Sequence, residues 1–148
     1  MLDSLKFIFK RDLLRLKHEI SSYRNENAIW KVDNDITNSA GNLCLHLVGN
    51  LNTFIGVGYG NTGYIRNREA EFTLKNVDRA EMLKQVDDVI IVIENTLNGI
   101  EVSDLEKDCT IRQFNDETKS NTYFLIHIAS HLAYHLGQIN YHRRLFDV

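Results

Sequence analysis

Apolar residues recur at spacings of three and four along most of this chain, the pattern of helices that bury one face. Leu2, Leu5, Phe9, Leu13, Leu16, Ile20 and Tyr23 predict a first helix over roughly residues 3–24. Leu43, His46, Leu47, Asn50 and Phe54 share one face of a second, over roughly 39–56. Met82, Val86, Val89, Ile90, Ile93 and Leu97 mark a third over roughly 79–98. Asp78 with Glu81 three residues later gives it a capping-box-like start, and Asn98-Gly99 gives it a stop. The fourth, over roughly 120–145, carries the stripe Phe124, Ile128, His131, His135, Gln138 and His142. Arg143 and Arg144 near its end complement the helix dipole. No proline interrupts the 148 residues, which suits long helices. The expected fold class is all-α, a four-helix bundle.

The connections qualify this picture. They span ~14, ~22 and ~21 residues, longer than the 2–8 of simple up-down bundles, so at least one is expected to cross over along the bundle. Gly56-Val-Gly-Tyr-Gly-Asn-Thr-Gly63, with four glycines in eight residues, predicts the end of the second helix and a turn. It is not a phosphate loop, because no Gly-Lys-Ser/Thr follows. Thr110-Ile-Arg-Gln-Phe114 reads as a short strand, and Trp30 is expected to close one end of the bundle. There is no internal repeat, and residues 1–148 are expected to form a single domain.

Composition excludes some classes of function. Apolar residues make up 43% and charged residues 25%, the balance of a soluble globular protein. A net charge of −3 gives no electrostatic reason to expect nucleic acid or an anionic membrane as partner. The first dozen residues are broken by charge every few positions, which fits neither a signal peptide nor a membrane span. Cys44 and Cys109 match no metal spacing and no disulfide framework, so a cytoplasmic location is expected.

The candidate chemistry lies in the fourth stripe, where polar imidazoles occupy a face that ought to be apolar. His131 and His135, one turn apart, point the same way, about 5–6 Å apart at Cβ. His46 is on the inward face of the second helix. Three imidazoles from two packed helices suit a divalent metal, zinc or nickel, and leave room for water or substrate. The alternative is that each histidine is a core-edge residue hydrogen-bonded to a carbonyl; spacing alone does not choose between the two. Leu132 stands where the zincin motif carries its glutamate base, which argues against a peptidase. A metal site without a base suits a substrate that ionises on binding, above all a thiol.

Neighbouring residues extend the site. Gln138 and Asn50, each one turn beyond a histidine, are placed to fix a ligand's tautomer or touch the substrate, or simply to cap polar surface. Arg66 and Arg68 are placed either to grip an anionic substrate group or to form loop salt bridges with Glu69, Glu71 or Asp78. His127 falls at the rim of the stripe and His18 among surface charges, so neither is expected to be a ligand.

Taken together, Trp30, Asn38-Ser-Ala-Gly-Asn-Leu-Cys-Leu-His-Leu-Val-Gly-Asn50, Arg66-Asn-Arg-Glu-Ala-Glu-Phe72 and His131-x3-His135-x-Gly-Gln138-Ile139 resemble the DinB/YfiT-like superfamily of bacterial metalloenzymes. The resemblance spans essentially the whole chain. It implies a four-helix bundle with long crossover connections, often a homodimer, holding a metal on His46, His131 and His135. Relatives that are thiol S-transferases imply a low-molecular-weight thiol as co-substrate and a small-molecule electrophile as substrate. The rival expectations are a stress-related bundle that binds a metal or ligand without turnover, and a metal-dependent hydrolase whose base would come from Glu69 or Glu71. A fold shared with enzymes does not fix the chemistry.

Overall fold

The four apolar stripes become four long helices, and the charged stretch after the glycine run adds a short fifth. The computed structural model describes residues 1–33, 35–111 and 118–148. In chain order the helices are α1 (Leu2–Ser21), α2 (Ala40–Leu51), α3 (Arg68–Thr73), α4 (Arg79–Asn98) and α5 (Asn121–Phe146), with 3₁₀ turns at Glu26–Trp30 and Val102–Asp104. Among the described residues there is no strand. The strand expected over 110–114 lies, for residues 112–114, outside them. No helix is long and apolar enough to cross a membrane.

Local signals set the helix starts. Ser39 and Ser120 cap α2 and α5, accepting from the backbone N–H of Asn42 and Tyr123. Asp78 caps α4 through Ala80 and Glu81. Glu81 does not complete the box, because its carboxylate instead accepts from Gln85 Nε2 at 2.9 Å. α1 stops at Ser21, so Tyr23 enters the core from the turn beyond it.

α1 packs between α4 and α5, and α2 packs against the same two helices, giving the all-α bundle that the periodicity predicts. Phe9, Leu13, Leu47, Met82, Ile93 and Phe124 fill the space between them, fully buried. α2 departs from the one-faced helix expected: every residue from Ala40 to Leu51 is buried. Its inner side meets α4 and α5, and its outer side is covered by α3 and the Glu26–Trp30 turn. Trp30 lies against Gly41, where a Cβ would meet its ring. The second helix also fails to stop at Gly56. A π-helical stretch, Asn52–Val57, and a last turn, Gly58–Gly60, carry the winding to Asn61, which breaks it in the left-handed region at φ 48°. Glycines can be accommodated in a helix that is packed on its neighbours, so the run marks the end only by its last members.

Buried polar contacts fix the rotation of α5. Glu19 of α1 accepts from Asn140 Nδ2 at 2.8 Å and Arg143 Nε at 2.7 Å. Asp147 accepts from the backbone N–H of Arg24 and Asn25 at 2.7 and 2.9 Å. His142, on the same stripe as the other histidines, is a core residue: Tyr23 Oη donates to its Nδ1 at 2.7 Å and its Nε2–H donates to the Lys31 carbonyl at 2.9 Å. With its C-terminal half held this way, α5 presents His131 and His135 to α2.

Candidate metal centre

Three imidazole nitrogens meet where the middle of α5 faces the middle of α2. His131 Nε2 lies 3.3 Å from His46 Nε2 and 3.1 Å from His135 Nε2. The potential ligand atoms of the three residues all fall within 4.8 Å of one another, a group that could hold a metal ion. The convergence follows from the fold. His131 and His135 are one turn apart on α5, and the packing of α2 on α5 brings in His46.

The far sides of the rings determine which nitrogens are free. His46 Nδ1–H donates to Glu71 Oε2 at 2.9 Å. Glu71 is held in turn by Arg66, whose Nε and Nη2 donate to its two carboxylate oxygens at 2.7 and 2.9 Å. Arg66 Nη2 also lies 3.3 Å from His46 Nδ1; both are donors directed at the same carboxylate. His135 Nδ1–H donates to Gln138 Oε1 at 2.6 Å. With their protons on Nδ1, neutral His46 and His135 turn lone pairs toward the common point. Each Nε2 lies 3.1–3.3 Å from His131 Nε2, so a proton or a cation must stand between the rings, and outer partners like those of His46 and His135 are what metal-bound histidines have. The donor set, three imidazoles of which two have their tautomers fixed, therefore fits a metal ion that accepts nitrogen ligands.

Sequence reasoning named Glu71 as a salt-bridge partner of Arg66 or as a hydrolase base, and missed its bond to His46. Its place depends on α3, the six-residue helix laid across α2 and capped by Asn67, which accepts from the Ala70 N–H. It also depends on Gly49: a Cβ there would collide with the Glu71 carboxylate. A glycine inside a helix costs about 1 kcal/mol relative to alanine, and at Gly49 that cost makes room for a carboxylate.

The remaining expectations divide. Gln138 does reach a histidine. Arg66 forms a salt bridge to Glu71, so the loop-salt-bridge alternative describes it. Arg68 pairs with no carboxylate among the described residues; its guanidinium lies over the Phe72 ring, 5.3 Å from the centroid. Asn50 is 4% exposed, and its Oδ1 is buried without a hydrogen-bond partner among the described residues, as is His131 Nδ1. His127 and His18 are outside the group of three. A cavity of about 360 Å³ opens beside the histidines, its walls including Asn50, Phe54, Arg68 and Phe72.

Burial favours the neutral form of His46, His131 and His142. It lowers the His46 pKa despite Glu71, which pulls the other way. Burial, reinforced by the neighbouring His135 and His46, brings His131 down to about 4, and burial also lowers His142. An unfolded chain titrates its histidines near pH 6.5. Below that value it binds protons that the folded chain refuses, so stability must fall with falling pH. Urea unfolding of the metal-free protein is expected to show lower stability at pH 5 than at pH 7. Equal or greater stability at pH 5 would contradict the burial of neutral rings.

A family model described as "Protein of unknown function (DUF1572)" matches residues 2–147. No curated protein and no solved structure matches the chain significantly.

Proposed function

The chain belongs to the DUF1572 family, and from that membership and the site just described we propose that it is a metal-dependent, thiol-using S-transferase acting on small electrophiles. One observation carries the reading: among the described residues, the cavity at the three-histidine centre has no carboxylate in its walls. Glu71, the acid that could have served as base for hydrolysis, is directed at the far nitrogen of His46 and has both oxygens engaged by Arg66. A water-activating hydrolase needs a base within hydrogen-bond reach of the water. A thiol, with an ordinary pKa near 8.5, needs only a modest push to ionise. The resemblance to DinB/YfiT-like thiol transferases supports the same choice.

His46, His131 and His135 would hold the ion, zinc or nickel. When bound, the ion supplies a Lewis acid that favours the ionised form of a thiol brought to it. The protein's own residues do the rest. Glu71 and Gln138 keep two rings in the tautomer that leaves Nε2 free, and Phe54 and Phe72 wall the cavity with aromatic carbon. In the overall transfer a carbon–sulfur bond forms as a carbon–halogen or epoxide carbon–oxygen bond breaks; with a halide the thiol proton is released to solvent alongside the halide ion, and with an epoxide the opened oxygen takes up a proton in its place.

Metal-loaded protein incubated with a low-molecular-weight thiol and a chloro- or epoxide electrophile is expected to consume free thiol. The consumption should cease on chelation and in His135→Ala. Stoichiometric metal with no thiol consumed over a panel of such pairs would instead favour a binding protein without turnover.

A further inference from the structure

We propose that the cavity beside the histidines binds a small molecule bearing an oxyanion, with Arg68 taking the charged group at the rim and Asn50 hydrogen-bonding the ligand's interior. The proposal rests on the metal-centre reading but concerns different residues, and two separate observations support it.

The first is a charge left over. The cavity walls contain two guanidinium groups, Arg66 and Arg68, and one carboxylate, Glu71, stands against them. Glu71 is bidentate to Arg66, so that pair is closed. Arg68 is exposed and pairs with no carboxylate among the described residues; its contact is the face of Phe72. Contact with the ring face restrains the guanidinium without engaging a carboxylate, and arginine grips a planar or tetrahedral oxyanion through two parallel N–H hydrogen bonds. Arg66, Arg68 and Glu71 together leave the site with a net positive charge before any metal is added.

The second is an unused polar group. Asn50 is 4% exposed and lines the same cavity, yet its side chain makes no hydrogen bond to any of the described residues, and its Oδ1 is buried. A buried amide without a partner costs roughly 1–3 kcal/mol, so its retention on an otherwise apolar helix turn needs a reason. Leucine would fill the space among Leu43, Leu47 and Phe54 without that cost. A ligand that enters the cavity and offers an N–H or O–H to Oδ1 supplies the reason. Asn50 and Arg68 thus define two points of recognition, one deep and one at the mouth, with the three histidines beside them. A ligand satisfying them carries a carboxylate or phosphate at one end and a polar hydrogen further in.

Calorimetric titrations and two-dimensional ¹⁵N-resolved NMR spectra test this with N-(2-mercaptoethyl)succinamate, which has a carboxylate at one end and an amide N–H further in, with its neutral primary amide, and with the analogue carrying a phosphate in place of the carboxylate, on zinc-loaded and metal-free protein. The acid or the phosphate is expected to bind wild type about tenfold or more tightly than the amide. Arg68→Gln, a surface change that leaves the core untouched, should erase most of that advantage and hardly alter the amide. The Asn50 side-chain amide signals should shift on binding, and Asn50→Leu should weaken acid and amide alike. The acid and phosphate arms distinguish the two oxyanions. Equal affinity for charged and neutral probes, an advantage unchanged in Arg68→Gln, or no binding of any probe would overturn the proposal. Zinc stoichiometry, measured first, reports separately on the metal centre. If zinc does not bind, that reading fails, and the preference for charged over neutral probes is still read on the metal-free protein.

Discussion

His131→Ala is expected to abolish tight metal binding while leaving the bundle folded. His131 is the middle member of the group, with the Nε2 atoms of His46 and His135 at 3.3 and 3.1 Å from its own. Its loss leaves two nitrogens, one on each helix, and no protein ligand to replace the third among the described residues. The loss of affinity should exceed the roughly 10–100-fold typical of losing an outer partner. Stability of the metal-free protein should change little. The wild-type ring already has a buried Nδ1 without a partner, and alanine relieves that while improving helix propensity. Equilibrium dialysis with elemental analysis reads the first effect, and urea unfolding reads the second. Stoichiometric binding that survives in His131→Ala would show that the ion, if any, sits elsewhere.

Glu71→Ala is expected to damage both the centre and the fold, because this carboxylate serves two partners. His46 loses the acceptor that keeps its proton on Nδ1, and metal affinity should drop about 10–100-fold. Arg66 loses its bidentate partner in a setting where both side chains are largely covered, 16% and 7% exposed. Removing one member of a buried pair costs about 3–5 kcal/mol, and the residual exposure of Arg66 places the expected loss toward the lower end. Gly49→Ala should reproduce the loss of affinity without removing a charged group, since a methyl there displaces the carboxylate. Zinc competition titrations and urea unfolding of both variants check these effects. Wild-type affinity in both would mean that the Glu71–His46 contact plays no part in metal binding.

These two residues show how far the sequence could be read. His131 and His135 declare themselves because their spacing sets two polar groups on a face whose other members are Phe124 and Ile128. His46 does the same on the second stripe, and Gln138 follows from being one turn further on. Such signals are local, and helical periodicity translates them into direction. Glu71 is different. Its helix, Arg68–Thr73, is too short to display a period and is rich in charge, so it reads as a loop. Only the cost of Gly49 inside a helix pointed to something approaching closely from outside. The complete burial of α2 was hidden for a related reason, since α3 and Trp30, which cover it, come from other parts of the chain. His142 shows the converse. It continues the histidine stripe, yet the Tyr23 hydroxyl and the Lys31 carbonyl, both remote in sequence, make it a core residue.

X-ray absorption on the zinc-loaded protein tests the central claim most directly. Three imidazole ligands at about 2.0–2.1 Å, with one position left to a lighter exchangeable ligand, are expected. Their number should fall in His46→Ala, His131→Ala and His135→Ala alike. A spectrum dominated by sulfur or carboxylate oxygen, or an imidazole count that any of these three substitutions leaves unchanged, would contradict it.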